Sequence, residues 1–191
     1  MRPGGPAPEP RTLNLGCGRR RDPAAVNLDV TEETRPDVVH DLNVLPWPFP
    51  DGRFDHVDAI DVLEHLDDAL AAMREIHRVT RPGGTVTIVV PHFSSANAFT
   101  DLTHHGFFGF RSLDYVTGAV IHDYYTRVRF GMLRREIVFE HGLANRLVRR
   151  LANRFPERYE RRWAWIFPAW FVVYELEVRQ PAVAVTSTRN E

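Results

Sequence analysis

The stretch Thr85–Val90, TVTIVV, is β-branched sequence without a break, and it constrains the fold more than any other feature of the chain. β-Branched side chains lose rotamer freedom in a helix and pack well on a pleated surface. With so little polar alternation, the segment predicts a strand buried on both faces, as in a parallel sheet covered above and below. The Pro82-Gly83-Gly84 turn leads into it.

Shorter apolar runs precede this one. Thr12–Leu15 stops at Gly16-Cys17-Gly18. Val26–Val30 and Asp37–Asp41 follow, the latter centred on Val38 and Val39, and Phe54–Ile60 is the fourth. The clearest helix lies between the fourth and fifth runs. Asp67 and Asp68 stand at its start, where acidic side chains satisfy free amides and suit the dipole. Leu70, Met73, Ile76 and Val79 recur at helical spacing on one face. Further helices are predicted at Ser112–Thr117, stopped by Gly118, and at Gly142–Phe155. In the latter, Leu143, Leu147, Leu151 and Phe155 form one apolar stripe, and Ala144, Val148 and Ala152 its neighbour. Tyr125–Glu140 reads as a long strand bent at Gly131, and Phe171–Val178 as the last. Five strands with short or helical crossovers, then a long strand, a helical excursion and a final strand, predict an open α/β sheet of seven strands. It is mainly parallel, with an antiparallel C-terminal edge.

A chain of 191 residues suits one domain, expected over residues 11–178. Within it, residues 93–125 form a substrate-side loop and helix, and residues 142–170 an insert. Met1–Pro10, with four prolines and two glycines, and the polar residues 179–191 are expected to be loose tails. The absence of a signal pattern and of an apolar run of bilayer length disfavours secretion and membrane spanning. The single cysteine, Cys17, excludes an internal disulfide and suits a reducing, cytoplasmic setting. The net charge of −1 hides an asymmetry, because Arg127–Arg162 carries eleven arginines against four glutamates. Such a segment is either a solvated helical face or a surface for an anionic partner.

In open α/β sheets, ligands sit beyond the carboxyl ends of the strands. Gly16 and Gly18 follow the first strand, where missing side chains let a ligand approach the backbone. Asp29 ends the second strand, Asp41 the third and Asp61 the fourth. An acid at the first of these positions accepts both hydroxyls of a ribose, and the next accepts an adenine amino group. The dinucleotide fingerprint needs a third glycine and an acid about 20 residues on. Here Arg20 follows Arg19, and Asp29 lies eleven residues beyond Gly18, so nicotinamide dinucleotide binding is a minor reading.

The motifs LNLGCG (Leu13–Gly18), NLD (Asn27–Asp29), WPFPDGRFD and IDVLEHL within Asp41–Leu66, and REIHRVTRPGG (Arg74–Gly84) leading into TVTIVVPH make the chain recognisable. It resembles the class I S-adenosylmethionine-dependent methyltransferases, particularly the small type 11 group, over residues 11–92. The resemblance implies a Rossmann-like sheet with a partly shortened first helix and S-adenosylmethionine as cofactor. It also implies that Gly16, Cys17 and Gly18 meet the methionine end and Asp29 the ribose, with Asp41 and Leu42 flanking adenine. Asp61 and Val62 would line the region near the sulfonium, with His65 close to the reacting face. The chain departs from the family at Asn14, where many members carry an acid, at Arg20, usually a small residue, and in its short first crossover.

Methyl transfer to a nucleophile is chiefly alignment and exclusion of water, with a base needed only where the acceptor must lose a proton. His65, His92, His104 and His105 are the candidate bases. Each has a plain alternative in capping or loop hydrogen bonds. His92, Asp101, His104 and His105 could also donate to a metal. They lack the spacing of a compact zinc site, so no metal is expected. Phe93, Phe99, Phe107, Phe108 and Phe110 form either a cover over an apolar or aromatic acceptor or simply core. Tyr115, Tyr124 and Tyr125 could add hydroxyls to it. The insert, with Trp163, Trp165, Phe167 and Trp170 beside arginines and broken by Pro156 and Pro168, suits a cap or a homodimer face better than lipid. Methylation of a small molecule is the first reading, and S-adenosylhomocysteine would be its by-product. RNA or protein methylation is the second, although no nucleic-acid-binding signature supports it. A non-catalytic cofactor-binding partner protein is the third.

Overall fold

Seven strands form one sheet in a computed structural model that describes residues 11–119, 126–140 and 142–180. They are β1 (Thr12–Leu15), β2 (Val26–Asp29), β3 (Val38–Val39), β4 (Phe54–Ile60), β5 (Thr80–Pro91), β6 (Arg129–Val138) and β7 (Phe171–Arg179). Their order is β3-β2-β1-β4-β5-β7-β6. The first five are parallel, and β7 runs antiparallel between β5 and β6. The chain order reverses between β1 and β4, which opens a crevice at their carboxyl ends.

Two expectations about the sheet need correction. The Pro82-Gly83-Gly84 turn does not precede β5 but lies inside it as a bulge, since Phe54 pairs with Thr80 while His56 pairs with Thr85. A Cβ on Gly84 would stand 2.7–2.9 Å from Thr80 Cγ2, Arg81 O and Asp55 O, so the bulge requires glycine there. Nor is β5 equally buried on its two faces. Val86, Ile88 and Val90 are inaccessible, whereas Thr85, Thr87 and Val89 are half-buried. The second face carries polar pairs instead: His56 Nδ1 lies 2.7 Å from Thr85 Oγ1, and Arg134 meets Glu175 at 2.7 Å. The crossovers at 16–25 and 30–37 contain only turns and one 3-10 turn, Glu32–Thr34, and supply no α-helix to cover it. The first helix of the fold is thus replaced by turns altogether.

Helix α1 (Ala69–Val79) packs on the sheet through Ala72, Met73, Ile76 and Val79, and Asp68 caps it by accepting from Ala71 N–H at 2.8 Å. Short helices α2 (Asn97–Thr100) and α3 (Asp114–Thr117) follow, the latter two residues shorter than predicted. In α4 (Leu143–Arg154) it is the small stripe that packs inward: Ala152 is buried, while Leu147, Leu151 and Phe155 are exposed. The reason is close docking on the edge strand. Asn153 donates from Nδ2 to Ile137 O and accepts at Oδ1 from Ile137 N–H, both at 2.8 Å, and so satisfies the β6 edge. Pro156 does not end the helical region. It opens α5 (Pro156–Arg162), because proline suits the first turn of a helix. β6 begins at Arg129 rather than Tyr125 and shifts register between Met132 and Arg134, beside Gly131. Tyr124, Tyr125 and both predicted tails beyond Gln180 and before Arg11 lie outside the described residues. Among the described residues, no helix is long and apolar enough to cross a membrane.

Candidate cofactor cleft and acceptor loop

The carboxyl ends of β1, β2 and β4 converge on a cleft of about 360 Å³. It is lined by Gly16, Asp29, Val30, His40, Asp41, Leu42, Asn43, Asp61, Val62, His65 and Leu66. Of the predicted cofactor residues, Gly16, Asp29, Asp41, Leu42, Asp61, Val62 and His65 are brought together here. Cys17 and Gly18 stand just behind them. Cys17 is buried, its N–H donates to Leu28 O at 3.0 Å, and burial, aided by Asp29, pushes its thiol up.

The glycine turn is tied to the acid across from it. Gly18 N–H donates to Asp29 Oδ2 at 2.7 Å, and Asp29 Oδ1 accepts from Thr31 N–H at 3.1 Å. Asp29 therefore holds the turn shut against β2 while keeping lone pairs toward the cleft. Gly16 has φ +53, and a Cβ there would meet Val62 Cγ2 at 2.8 Å. Both the backbone and the space exclude a side chain. Gly16→Ala is expected to weaken cofactor binding about tenfold, from a left-handed cost of about 1–2 kcal/mol together with the displaced Val62. Calorimetric titration of G16A and of G16A/V62A separates the two, since only the steric part recovers in the double variant.

The family departures are used locally. Asn14 Nδ2 donates to Arg20 O at 3.0 Å and to Asn27 Oδ1 at 3.1 Å, so it braces the loop after the glycine turn. Arg20 then reaches across to Asp61 Oδ2 at 2.7 Å. Asp61 ends β4 with φ +55, a left-handed conformation that aspartate tolerates better than most residues. The Arg20–Asp61 pair offers one charge of each sign at the rim. The Leu42 side of the cleft is positioned from below. Trp47 N–H donates to Glu75 Oε2 at 2.7 Å and its indole to Leu42 O at 3.1 Å, while Arg78 binds Glu75, Trp47 O and Phe49 O. The WPFP segment is thus clamped to α1 through Glu75 and Arg78, and its Trp47 holds Leu42 O.

The four histidines separate. His65 lines the cleft and meets His104 edge to face, ring centroids 4.6 Å apart. Burial and then His104 hold its imidazolium below the usual histidine range, so the ring is neutral near pH 7. His105 is exposed and paired with Asp67 at 2.8 Å. His92 is fully buried and does not line the cleft. Its Nδ1 accepts from Ser94 N–H, which puts the ring proton on Nε2, facing Glu160 at 3.2 Å. Glu160 also accepts from Phe110 N–H, so His92 ties the end of β5 to α5 and to the aromatic loop. That loop divides: Phe108 is core, Phe93 and Phe110 pack on a smaller cluster around Ile137, Phe139 and Tyr159, and Phe99 and Phe107 stack in the open at 4.9 Å. A separate apolar hollow of about 430 Å³ lies between α4 and α5, lined by Leu151, Phe155, Tyr159 and Trp163 among others.

Glu64 is the residue the sequence reading passed over, although it sits in the quoted DVLEHL. Its side chain is 1% exposed, both carboxylate oxygens lack a hydrogen-bond partner, and burial pushes its carboxyl up to about 7. The loop at 101–106 closes over it, with His105 and Gly106 N–H both donating to Glu64 O.

Residues 13–88 match the family model described as a methyltransferase domain, type 11. The sheet order and the cleft agree with that match. The chain has the fold of the class I S-adenosylmethionine-dependent methyltransferases and is similar to them in sequence over residues 13–88. The demethylmenaquinone methyltransferase of Geobacillus stearothermophilus is 34% identical over 73 residues, 38% of this chain and 26% of its own. The curated relatives are matched over only 16–26% of their own length. An S-adenosylmethionine-dependent methyltransferase from Mesorhizobium loti shares the fold with TM-score 0.53 at 18% identity, covering 90% of this chain and 93% of its own. The [4+2]-cyclase SpnF shares it with TM-score 0.57 at 20% identity, over 88% of this chain and 75% of its own. A cyclase on this sheet shows that the fold alone does not name a reaction. The match ends within β5, so the likeness in sequence covers the half of the chain that carries the cleft.

Proposed function

We propose that this methyltransferase moves the methyl group of S-adenosylmethionine to a small apolar or aromatic molecule held between the cofactor cleft and the loop at 93–110. The observation that carries the reading is the junction at His65. This one residue lines the cleft and also touches His104 of the loop that bears the stacked, exposed Phe99 and Phe107. Asp29 would take the ribose hydroxyls, Asp41 and Leu42 the adenine, and Arg20 with Asp61 the carboxylate and ammonium of the methionine group. The acceptor's nucleophilic atom would lie beside His65 and His104, with sulfonium departure supplying most of the driving force. The relative whose name gives demethylmenaquinone as acceptor supports a small molecule over a polymer.

Calorimetric titration with S-adenosylmethionine and S-adenosylhomocysteine tests the cofactor reading, and isotopic methyl transfer to a panel of phenols, quinols and small amines tests the acceptor. Saturable one-to-one binding and turnover on at least one panel member are expected. Folded protein that binds neither cofactor form would overturn the reading. Turnover on RNA or a protein, with none on the panel, would overturn the choice of acceptor.

A further inference from the structure

Glu64 is a buried carboxylate with no partner for either oxygen, a costly arrangement in a folded interior unless something joins it. Its neighbours supply what a cation needs. One donor atom from each of Glu64, His65 and His104 lies within 4.8 Å of the other two.

The hydrogen bonds around the two rings fix which nitrogen is free. Thr103 Oγ1 gives its single proton to Asp101 Oδ1 at 2.7 Å, so at 2.8 Å from His65 Nδ1 it accepts. His65 therefore carries its proton on Nδ1. Ala98 O accepts only, so His104 Nδ1, at 3.3 Å, is likewise the protonated nitrogen. In both rings these bonds leave Nε2 unused, and both rings are oriented through the opposite nitrogen. Histidines that ligate metals are held in this way, by a carbonyl or by a relay ending in a carboxylate.

We propose that Glu64, His65 and His104 bind one divalent transition-metal cation, of the zinc, iron or manganese class, beside the cofactor cleft. Two imidazoles and one carboxylate suit such ions rather than calcium or magnesium, whose sites are built from oxygen. Three protein ligands leave positions open for oxygen atoms of the acceptor, which the cation would hold and acidify. The placement of the acceptor rests on the function proposed above, whereas cation binding itself does not.

The test uses full-length protein stripped with a chelator, titrated with Zn²⁺ by calorimetry and with Co²⁺ by visible absorption. S-adenosylhomocysteine is titrated into the same samples. The expected result is one saturable site, with affinity at least tenfold lower in Glu64→Gln and in His104→Ala and unchanged in His105→Ala. Thr103→Val, which removes only the orienting partner, is expected to lose about tenfold. Absence of saturable metal binding, or equal affinity in E64Q and H104A, overturns the proposal. If E64Q fails to fold, H104A decides alone. Retained S-adenosylhomocysteine binding in a sample that takes no metal places the failure in this proposal and not in the cofactor reading.

Discussion

Asp29→Ala is expected to lower the affinity for S-adenosylhomocysteine by about 100-fold or more in calorimetric titration, with the circular dichroism spectrum unchanged. A charged acceptor with two ribose hydroxyls to bind contributes about 1.5–3 kcal/mol per hydrogen bond, and alanine removes both. The same truncation releases Gly18 N–H and Thr31 N–H, which Asp29 holds at 2.7 and 3.1 Å, so the glycine turn loses its tie to β2. The fold survives because both amides belong to half-buried residues, Gly18 and Thr31, that water can reach, and because the core under β1 and β2 rests on Leu13, Leu15 and Leu28. Asp29→Asn separates the two roles. Its one remaining oxygen still accepts from the turn but cannot take both hydroxyls with charge, so an intermediate loss is expected. An affinity in D29A within threefold of the wild type would show that the ribose is held elsewhere.

The arrangement of the cleft was legible because it is local. A glycine turn after one strand, and acids at the ends of the next three, are sequence-adjacent consequences of a parallel sheet, and the cleft gathers them as read. What the sequence concealed depends on contacts between distant segments. Glu64 sits beside a named candidate, yet nothing in DVLEHL says that its carboxylate is buried without a partner. That follows from the loop 101–106 folding over it. His92 looked as available as His65, but Glu160, 68 residues on, claims its Nε2. The apolar stripes of α4 were correctly spaced. Which one faces inward is decided by Asn153 docking on β6, a contact invisible to periodicity. The expected two-sided burial of β5 failed because composition reports a strand's preference, while cover depends on whether the crossovers are long enough to make helices.

The clamp beneath the Leu42 side of the cleft yields the largest expected loss of stability. Arg78 lies against Glu75, Asp51, Trp47 O and Phe49 O, with its side chain only 25% exposed and that of Glu75 11%. Arg78→Met leaves the Glu75 carboxylate with only Trp47 N–H and takes the Arg78 donor from the part-buried Phe49 O, while Trp47 O keeps Phe49 N–H. Breaking a buried pair from one side costs about 3–5 kcal/mol, or about 10 °C in melting temperature for a chain of this length. Glu75→Gln/Arg78→Met should cost less than the sum, because the orphaned charge is gone. The pair also sets an acid limit. Hydrogen bonding to Arg78 holds the Glu75 carboxyl below its ordinary value of 4.5. Its contribution is complete above that value and is lost as pH falls through the lower, folded one. Wild-type protein should therefore lose stability more steeply than E75Q on acidification below about pH 5. Because Trp47 holds Leu42 O, loosening the clamp reaches the cleft: R78M at a temperature where it remains folded is expected to bind S-adenosylhomocysteine several-fold more weakly. Unchanged affinity in folded R78M would mean that Leu42 keeps its place without Trp47, and that the WPFP segment serves the core alone.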